Sequence, residues 1–447
     1  MSSNPTASPG PGPQGQSRSP QAPPAMRHAD VAVVGAGPAG VAAAVTAARH
    51  GLDVVLIDQA HFPRDKCCGD GLTAAALREL ERLGLPAGSV ASWQAVHEVV
   101  LHSPSALRVE LDLPPGPGRH SVVAARLDLD AALVALALDN GVEFWPGEAC
   151  TALGPAEPTP GVSQPDGPLL VTTSTRKLQV KAVVAADGMW SPVRKLCGAD
   201  HPAGYRGDWH AFRQYFTGAS PDARRRQHVW FPSDLLPAYI WSFPLADGRI
   251  NVGYGLLRGA KLTVGEGTKW ADILNRPEVR AVLGPDLVAA GPLRAWPIPA
   301  RIARATLTAL GGRVLFVGDA ATAADPMTGE GIGQALLTGR LAADTIARHS
   351  GTAPSCTIGV AYRAGVRREL IADHRLALWC SRLLATTRGA EWSLRLVNTN
   401  AWTRRNFARW MFEDYPRAVL ATPRRWRRGM FRAVSRARTM PGDAFYE

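Results

Sequence analysis

Cysteine is scarce, with six in 447 residues, no CxxC pair and no Cys/His ligand spacing. That argues against a zinc site and a secreted disulfide framework, and fits a reducing cytoplasm. Long apolar runs are absent too. No stretch reaches the ~18 consecutive apolar residues that a bilayer-crossing helix needs, so contact with a membrane would be peripheral. Residues 1–27, opening MSSNPTASPGPG, hold little apolar surface and no hydrophobic h-region, and read as a disordered tail. No repeat of solenoid length occurs. Acids are outnumbered, 38 against 50 Lys and Arg, for a net charge of +12. A balance of that sign suits nucleic acid, anionic lipid or simple solubility.

What remains is ordinary for a soluble globular chain of two or three domains, 46% hydrophobic and 20% charged. The first ordered stretch is DVAVVGAGPAGVAAAVTAARHGLDVVLID, residues 30–58. Asp30 to Val34 reads as a strand, Gly35 to Gly40 as a glycine turn, Val41 to His50 as a helix and Val54 to Ile57 as a second buried strand. GxGxxG letters alone are weak. Here they follow a strand, open a helix and are answered by Asp58 at the end of the next strand, which makes a nucleotide-binding βαβ unit. Gly35 permits the tight turn, Gly37 admits a pyrophosphate, Gly40 lets helix and strand approach, and Ala39 lies in the same turn. The helix N-terminus would face the phosphates and Asp58 a ribose hydroxyl.

Farther on, Ala74 to Leu83 reads as a helix ended by Gly84. VHEVVLHS, LRVELDL and HSVVAA read as an inserted sheet, and Arg126 to Asn140 as an amphipathic helix before the strand GVEFW. GPAEPTPGVSQPDGP reads as a surface loop, after which LLVTTS and QVKAVVAADG return the chain to the nucleotide sheet. Residues 201–300 alternate and are rich in aromatics, as in a mostly antiparallel domain. RVLFVGDAATAADPMTGEGIGQALLTGRLAADTIA then repeats strand, loop and helix.

Three stretches, GAGPAG with Asp58, AADGMWSPVRK at 185–195 and VGDAATAADPMTGEGIG at 317–333, resemble in order and spacing the flavoprotein architecture of aromatic hydroxylases and the geranylgeranyl reductase family. The resemblance covers most of residues 28–350. It implies FAD, with Gly318 and Asp319 at the ribitol chain and Gly329, Glu330, Gly331 and Ile332 presenting backbone to the isoalloxazine, where a helix N-terminus stabilises charge on the reduced ring. Asp187, Gly188 and Arg194 would border the nucleotide or merely stabilise a turn. Arg126 matches a position that reaches the cofactor, although an arginine at a helix start is ordinarily solvated.

RDKCCGDGLT places two adjacent cysteines in one loop. Neighbouring Cα atoms are ~3.8 Å apart, below the disulfide window, so a bridge between them is disfavoured. Pro63, Arg64, Cys68 and Gly69 match the pattern Pro-Arg, three residues, Cys-Gly of geranylgeranyl reductases, which implies Arg64 toward the cofactor and Cys68 and Gly69 beside the flavin. Cys67 does not match. A second signature of that family, Tyr-x-Trp-x-Phe-Pro, is met by Tyr239, Trp241, Phe243 and Pro244 with Gly253 following. Alternation puts the three aromatics on one strand face, either as the wall of a prenyl-chain site or as ordinary sheet core.

The fold expected is α/β: a Rossmann-type FAD-binding domain with a parallel sheet (28–95, 125–200 and 300–350), a mostly antiparallel α+β substrate domain (96–124 with 201–299) and a helical C-terminal region (351–447). The function expected is FAD-dependent saturation of carbon–carbon double bonds in a prenyl chain on a lipid, quinone or diphosphate, with flavin hydroxylation of an aromatic or polyketide substrate as the alternative. Cys68 and Tyr239 are the candidate catalytic residues, Tyr239, Trp241 and Phe243 the substrate contacts, and no metal is expected. No second nucleotide fingerprint is present, so the electron donor is NAD(P)H bound without one or a ferredoxin. Between Arg404 and Arg438, 11 arginines face two acids and are interleaved with Trp, Met and Phe. That patch suits the inner face of an anionic membrane better than nucleic acid, given a lipid substrate; a solvated basic helix is the plain alternative.

Overall fold

The computed structural model describes residues 26–113, 121–156, 167–259, 270–349, 354–412 and Ala418. Most of the N-terminal tail, of the GPAEPTPGVSQPDGP loop and of the arginine-rich stretch past residue 412 lies outside them.

The elements that position the site are, in chain order, β1 (Val31–Val34), α1 (Pro38–Arg49), β2 (Val54–Asp58), β3 (Glu98–His102), β4 (Arg108–Asp112), α2 (Arg126–Asp139), β5 (Glu143–Pro146), β6 (Ala182–Ala185), β7 (Trp209–Thr217), β8 (Gln227–Trp230), β9 (Tyr239–Pro244), β10 (Ile250–Leu257), β11 (Val314–Phe316), α3 (Ile332–His349), α4 (Ile371–Leu384), α5 (Thr387–Val397) and α6 (Ala401–Phe412).

β1, β2, β6 and β11 are short and buried throughout, rich in Val, Leu and Ile as strands covered on both faces must be. They align in parallel in the order β11-β6-β1-β2-β5, with Val33 beside Leu56 and Val184 beside both Val33 and Leu315. α1 begins at Pro38, three residues before the sequence reading, because proline at the first helical turn has its φ preset and no N–H to lose. α1 and α3 pack backbone to backbone: a Cβ on Gly339 would lie 2.0 Å from the Ala39 carbonyl oxygen.

The second large sheet runs in the order β7-β10-β9-β8-β3-β4, with Val288–Ala289 at its edge and Arg294–Ile298 also on β7. Its pairs are antiparallel except β8 with β3, where Gln227 meets Val99. The stretch expected as one inserted sheet is divided. β3 and β4 join this large sheet, whereas Ser121–Val123 pairs with Gly71–Thr73 and Gln94–Ala95. QVKAVVAADG divides likewise, since Lys177–Val180 sits in a separate four-stranded sheet and only β6 returns to the parallel one. α5 and α6 cover the outer strands through Leu394, Val397 and Ala408 against Val99, Leu101, Val109 and Leu111. A parallel α/β domain, a mostly antiparallel domain and a helical region are thus present in one chain.

Candidate active site

Three glycines of the first turn do different work. Gly35 has φ +103°, and a Cβ there would lie 2.3 Å from the Ala186 carbonyl oxygen; on Gly40 it would lie 1.7 Å from that of Gly35. Both are demanded by the chain's own packing. Gly37 is not: the nearest groups to its Cβ position are the guanidinium ends of Arg64 and Arg126, at 3.5 and 4.0 Å. The space over Gly37 is therefore roofed by cations. Gly37 is also the N-cap of α1 and has no side chain to satisfy the first N–H groups, which suits an anion. Asp58 is fixed beside the turn, its two oxygens accepting from the N–H groups of Ala36 at 2.7 Å and Ala60 at 2.8 Å.

Arg126 is buried rather than solvated. Its guanidinium donates to both oxygens of Asp130, one helical turn on, at 2.8 and 2.7 Å, and Arg64 reaches the same carboxylate at 3.1 Å. Burial opposes the charge on Arg126, but Asp130 outweighs it and holds the pKa above the ordinary arginine value. Two guanidiniums on one carboxylate leave one positive charge over the glycine turn, which a phosphate would neutralise. Asp130 was missed from sequence, although its i+4 spacing from Arg126 was there to be read.

At the third motif, Asp319 accepts from Lys66 Nζ at 3.0 Å, which ties the cysteine loop to the strand end. Gly318 and Gly329 have positive φ. The Glu330 carboxylate caps the start of α3, accepting from the Gly333 N–H at 2.9 Å and from Thr73 Oγ1 at 3.2 Å. Gly331 and Ile332 lie at that helix start, and both line the cavity. The middle motif is built as a turn. Asp187 accepts from Ser191 Oγ at 2.6 Å and Val193 N–H at 2.9 Å, Gly188 has φ +82°, and Arg194 donates to the carbonyls of Thr306 and Ala320, both at 2.9 Å. Burial pushes the Asp187 carboxyl up to about 6.

The cysteine loop lies against the aromatic strand. Tyr239, Trp241 and Phe243 stand in a row on β9, with centroids 5.9 and 6.4 Å apart. A Cβ on Gly69 would be 3.5 Å from Trp241, and one on Gly71 would be 3.2 Å from Phe243. Tyr239 Oη donates to the Thr328 carbonyl, joining β9 to the third motif. All six cysteines are free thiols. Burial, the nearby Asp70 adding to it, raises the Cys68 pKa, and burial pushes Cys67 up to about 12, so both hold their protons. Cys68 Sγ accepts from the Asp70 N–H at 3.3 Å.

Asp70 itself was not singled out from sequence. It is fully buried at φ +64°, a conformation aspartate tolerates better than most residues. One oxygen accepts from Tyr215 Oη at 2.6 Å and Asn251 Nδ2 at 2.7 Å, while Oδ1 is buried and has no partner among the described residues. Asn251 also donates to the Cys68 carbonyl at 2.9 Å and accepts from Trp241 Nε1 at 3.1 Å. Burial pushes the Asp70 carboxyl up to about 6 against the pull of those hydrogen bonds.

Every cofactor and substrate residue so far named from sequence, except Gly40 and Arg194, lines one cavity of about 1060 Å³. It runs from the glycine turn past Cys68 and the aromatic row to α4, α5 and α6. A polar, cation-roofed end and a long apolar end match a dinucleotide lying beside an apolar substrate. Among the described residues, no group of three or more His, Cys, Asp or Glu is placed to hold a metal ion.

The FAD binding domain family matches residues 28–355. The chain belongs to this family of FAD-dependent oxidoreductases. Within it, the chain groups with the geranylgeranyl reductases. It is 36% identical over 334 residues to a menaquinone reductase of Mycobacterium tuberculosis, covering 71% of this chain and 76% of the relative. It is 30% identical over 337 residues to digeranylgeranylglycerophospholipid reductase 1 of Methanopyrus kandleri, covering 70% and 79%. A geranylgeranyl bacteriochlorophyll reductase-like protein of Thermoplasma acidophilum superimposes with TM-score 0.70 over 89% of this chain and 99% of that one, at 21% identity. An anhydrotetracycline hydroxylase of Streptomyces rimosus shares the fold at TM-score 0.60 and 22% identity, over 86% and 75%. The residues of the polar end fit FAD: the open space over Gly37, its two arginines and the uncapped start of α1 suit the pyrophosphate, and Asp58 suits a ribose.

Proposed function

We propose that this flavoprotein saturates carbon–carbon double bonds in the prenyl chain of a quinone or lipid. The observation that carries the reading is the continuity of the cavity, in which the Cys68 loop separates the cation-roofed end from the aromatic row of β9. FAD, once bound and reduced, supplies the hydride. The chain's own residues bind, orient and keep the site dry. Arg64, Arg126 and the start of α1 hold the phosphates, Asp58 a ribose, Asp319 the ribitol chain, and Gly329 to Ile332 face the ring. Tyr239, Trp241 and Phe243 form the wall on which an isoprene unit rests, each buried CH₂ favouring binding by ~0.8 kcal/mol. An isolated alkene offers no charge to grip, so holding it in place against the aromatic row is the main contribution.

The second reactant is a proton. Tyr239 commits its hydroxyl proton to the Thr328 carbonyl. Cys68 holds a proton on a sulfur that only accepts, from the Asp70 N–H. This favours Cys68 over Tyr239 as the acid. Electrons arrive from NAD(P)H or a reduced ferredoxin, and the working place is the inner face of the cell membrane, whose headgroups are anionic.

The test is anaerobic turnover of a prenylated quinone with reduced flavin, followed by mass spectrometry. One H₂ gained per saturated bond is the expected result. Oxygen uptake matched to a hydroxylated product overturns the reading in favour of the hydroxylase that the shared fold also accommodates.

A further inference from the structure

α4, α5 and α6 close the apolar end of the cavity, and each carries apolar side chains both lining it and exposed outside it. Inward, Leu384, Leu394, Val397 and Phe407 line the cavity. Outward stand Trp379, Trp392 and Trp402, which are 61%, 62% and 72% exposed. Leu378, Leu383 and Leu396 are exposed beside them, so six of the fourteen exposed large apolar side chains among the described residues fall on these three helices. Apolar residues scattered singly over a surface need no explanation, but a concentration of this kind does. Trp392 and Leu396 are one helical turn apart and share a face of α5. Leu383 belongs to both sets, exposed and lining the cavity, so the apolar lining continues to the outside there.

The charge on these helices is predominantly positive. From Ile371 to Phe412 the sequence holds seven arginines against two acids, Asp373 and Glu391. Arg375, Arg382, Arg388, Arg395 and Arg405 are exposed. Glu391 is engaged by Arg395 at 2.7 Å and by Ser105 Oγ, also at 2.7 Å. Tryptophan interleaved with arginine on helices that lie side by side is the composition of a surface resting in a headgroup layer, rings at the interface and guanidiniums on phosphates. Three largely exposed indoles, one on each of these helices, are poorly placed against water.

We infer that α4, α5 and α6 seat this face on an anionic bilayer and that the cavity opens onto the leaflet at Leu383, so a prenyl chain enters from lipid without crossing water. The inference rests on the prenyl substrate proposed above, and it assigns the docking to these helices rather than to the arginine-rich tail after them.

The test uses the full chain with vesicles of phosphatidylcholine alone or mixed with phosphatidylglycerol. Read-outs are co-sedimentation and quenching of tryptophan fluorescence by brominated acyl chains. One variant combines Trp379→Ser, Trp392→Ser and Trp402→Ser; another replaces the seven arginines from Arg424 to Arg438 by Ser. The wild type sediments with the mixed vesicles and is quenched. The triple tryptophan variant loses about tenfold or more in vesicle binding, loses the quenching, and keeps its flavin absorbance. It also keeps kcat on detergent-dispersed substrate, while KM for vesicle-borne substrate rises. Vesicle binding unchanged in the tryptophan variant and abolished in the tail variant overturns the inference. So does a wild type that ignores every vesicle, or a tryptophan variant that merely falls from dimer to monomer, since the patch would then join two copies. Lipid binding through the tryptophans with no prenyl chain reduced leaves the docking standing and removes the proposed reaction.

Discussion

Around Gly37 the groups that shape the cavity come in short local sets: three glycines in one turn, and, on a later helix, Arg126 with Asp130 one turn on from it. Around Trp241 they are distant. Asp70 meets Tyr215 across 145 residues and Asn251 across 181, and Asn251 reaches back to Cys68 across 183. The cofactor end is assembled from short motifs, whereas the substrate end is held by polar groups that meet over long separations and leave Asp70 Oδ1 without a partner among the described residues. A change in the space over Gly37 should therefore cost ligand before fold, and a change at the second end should show in the fold's own stability.

The largest effects test whether the first half of that contrast is real. Gly40→Ala puts a Cβ 1.7 Å from a backbone oxygen that cannot move aside. It should cost several kcal/mol and leave little folded protein, as a forced overlap in a packed interior does. Gly37→Ala, three residues earlier, meets nothing nearer than 3.5 Å. It should fold with an unchanged thermal midpoint and purify colourless, because only a phosphate needs that space. A yellow Gly37→Ala protein would break the comparison.

Next comes Asp130→Asn, which leaves the buried Arg126 guanidinium and the half-buried one of Arg64 without their carboxylate. Breaking one side of a buried pair costs ~3 to 5 kcal/mol. Here part of that loss should return on adding FAD, whose phosphates supply the missing charge, and calorimetry with and without FAD would show it. Loss of equal size in both states would mean that the arginines face no phosphate.

The contrast also explains how much was legible. GAGPAG, Asp58 and the third motif are local patterns whose letters carry their own geometry, and the parallel sheet followed from short β-branched strands alternating with helices. The aromatic row was legible because alternation alone puts residues 239, 241 and 243 on one face. Asp70, Asn251 and Lys66 were not, since nothing in the letters near them announces partners 145 to 253 residues away. The division of residues 96–124 between two sheets was hidden for the same reason: strand pairing over long separations is set by packing, not by propensity. Arg126 looked ambiguous until Asp130, four residues on, was seen to be buried with it.

At the substrate end, Asp70 gives a smaller effect with a definite sign. Its folded carboxyl titrates at about 6 against an ordinary 3.8. A raised carboxyl contributes stability that is fully present below the unfolded value and is lost as pH rises through the folded one, here between about pH 4 and about pH 6. Two units correspond to about 3 kcal/mol. The groups facing it, Arg126, Arg213, Tyr215, Asn251, Cys67 and Cys68, keep their charge state in that window. Asp70→Asn retains an acceptor for Tyr215 and Asn251 and carries no charge, so it should abolish this loss and be the more stable protein at about pH 7 by up to about 3 kcal/mol in urea unfolding. Equal pH profiles for variant and wild type would show that Asp70 ionises freely.

The smallest effect serves as the control for all of these. Arg27 pairs with Asp53 at 2.8 Å and Glu143 at 2.9 Å, distances like those between Arg126 and Asp130, but its side chain is 36% exposed and its partners 48% and 42%. Water already solvates each charge there, and salt screens the rest, so Arg27→Ala should change stability by no more than about 1 kcal/mol and by less at high ionic strength. Flavin content should not change. If Arg27→Ala and Asp130→Asn cost the same, burial is not what makes the inner arginine pair matter, and the cation roof over Gly37 would have to be explained by hydrogen-bond geometry alone.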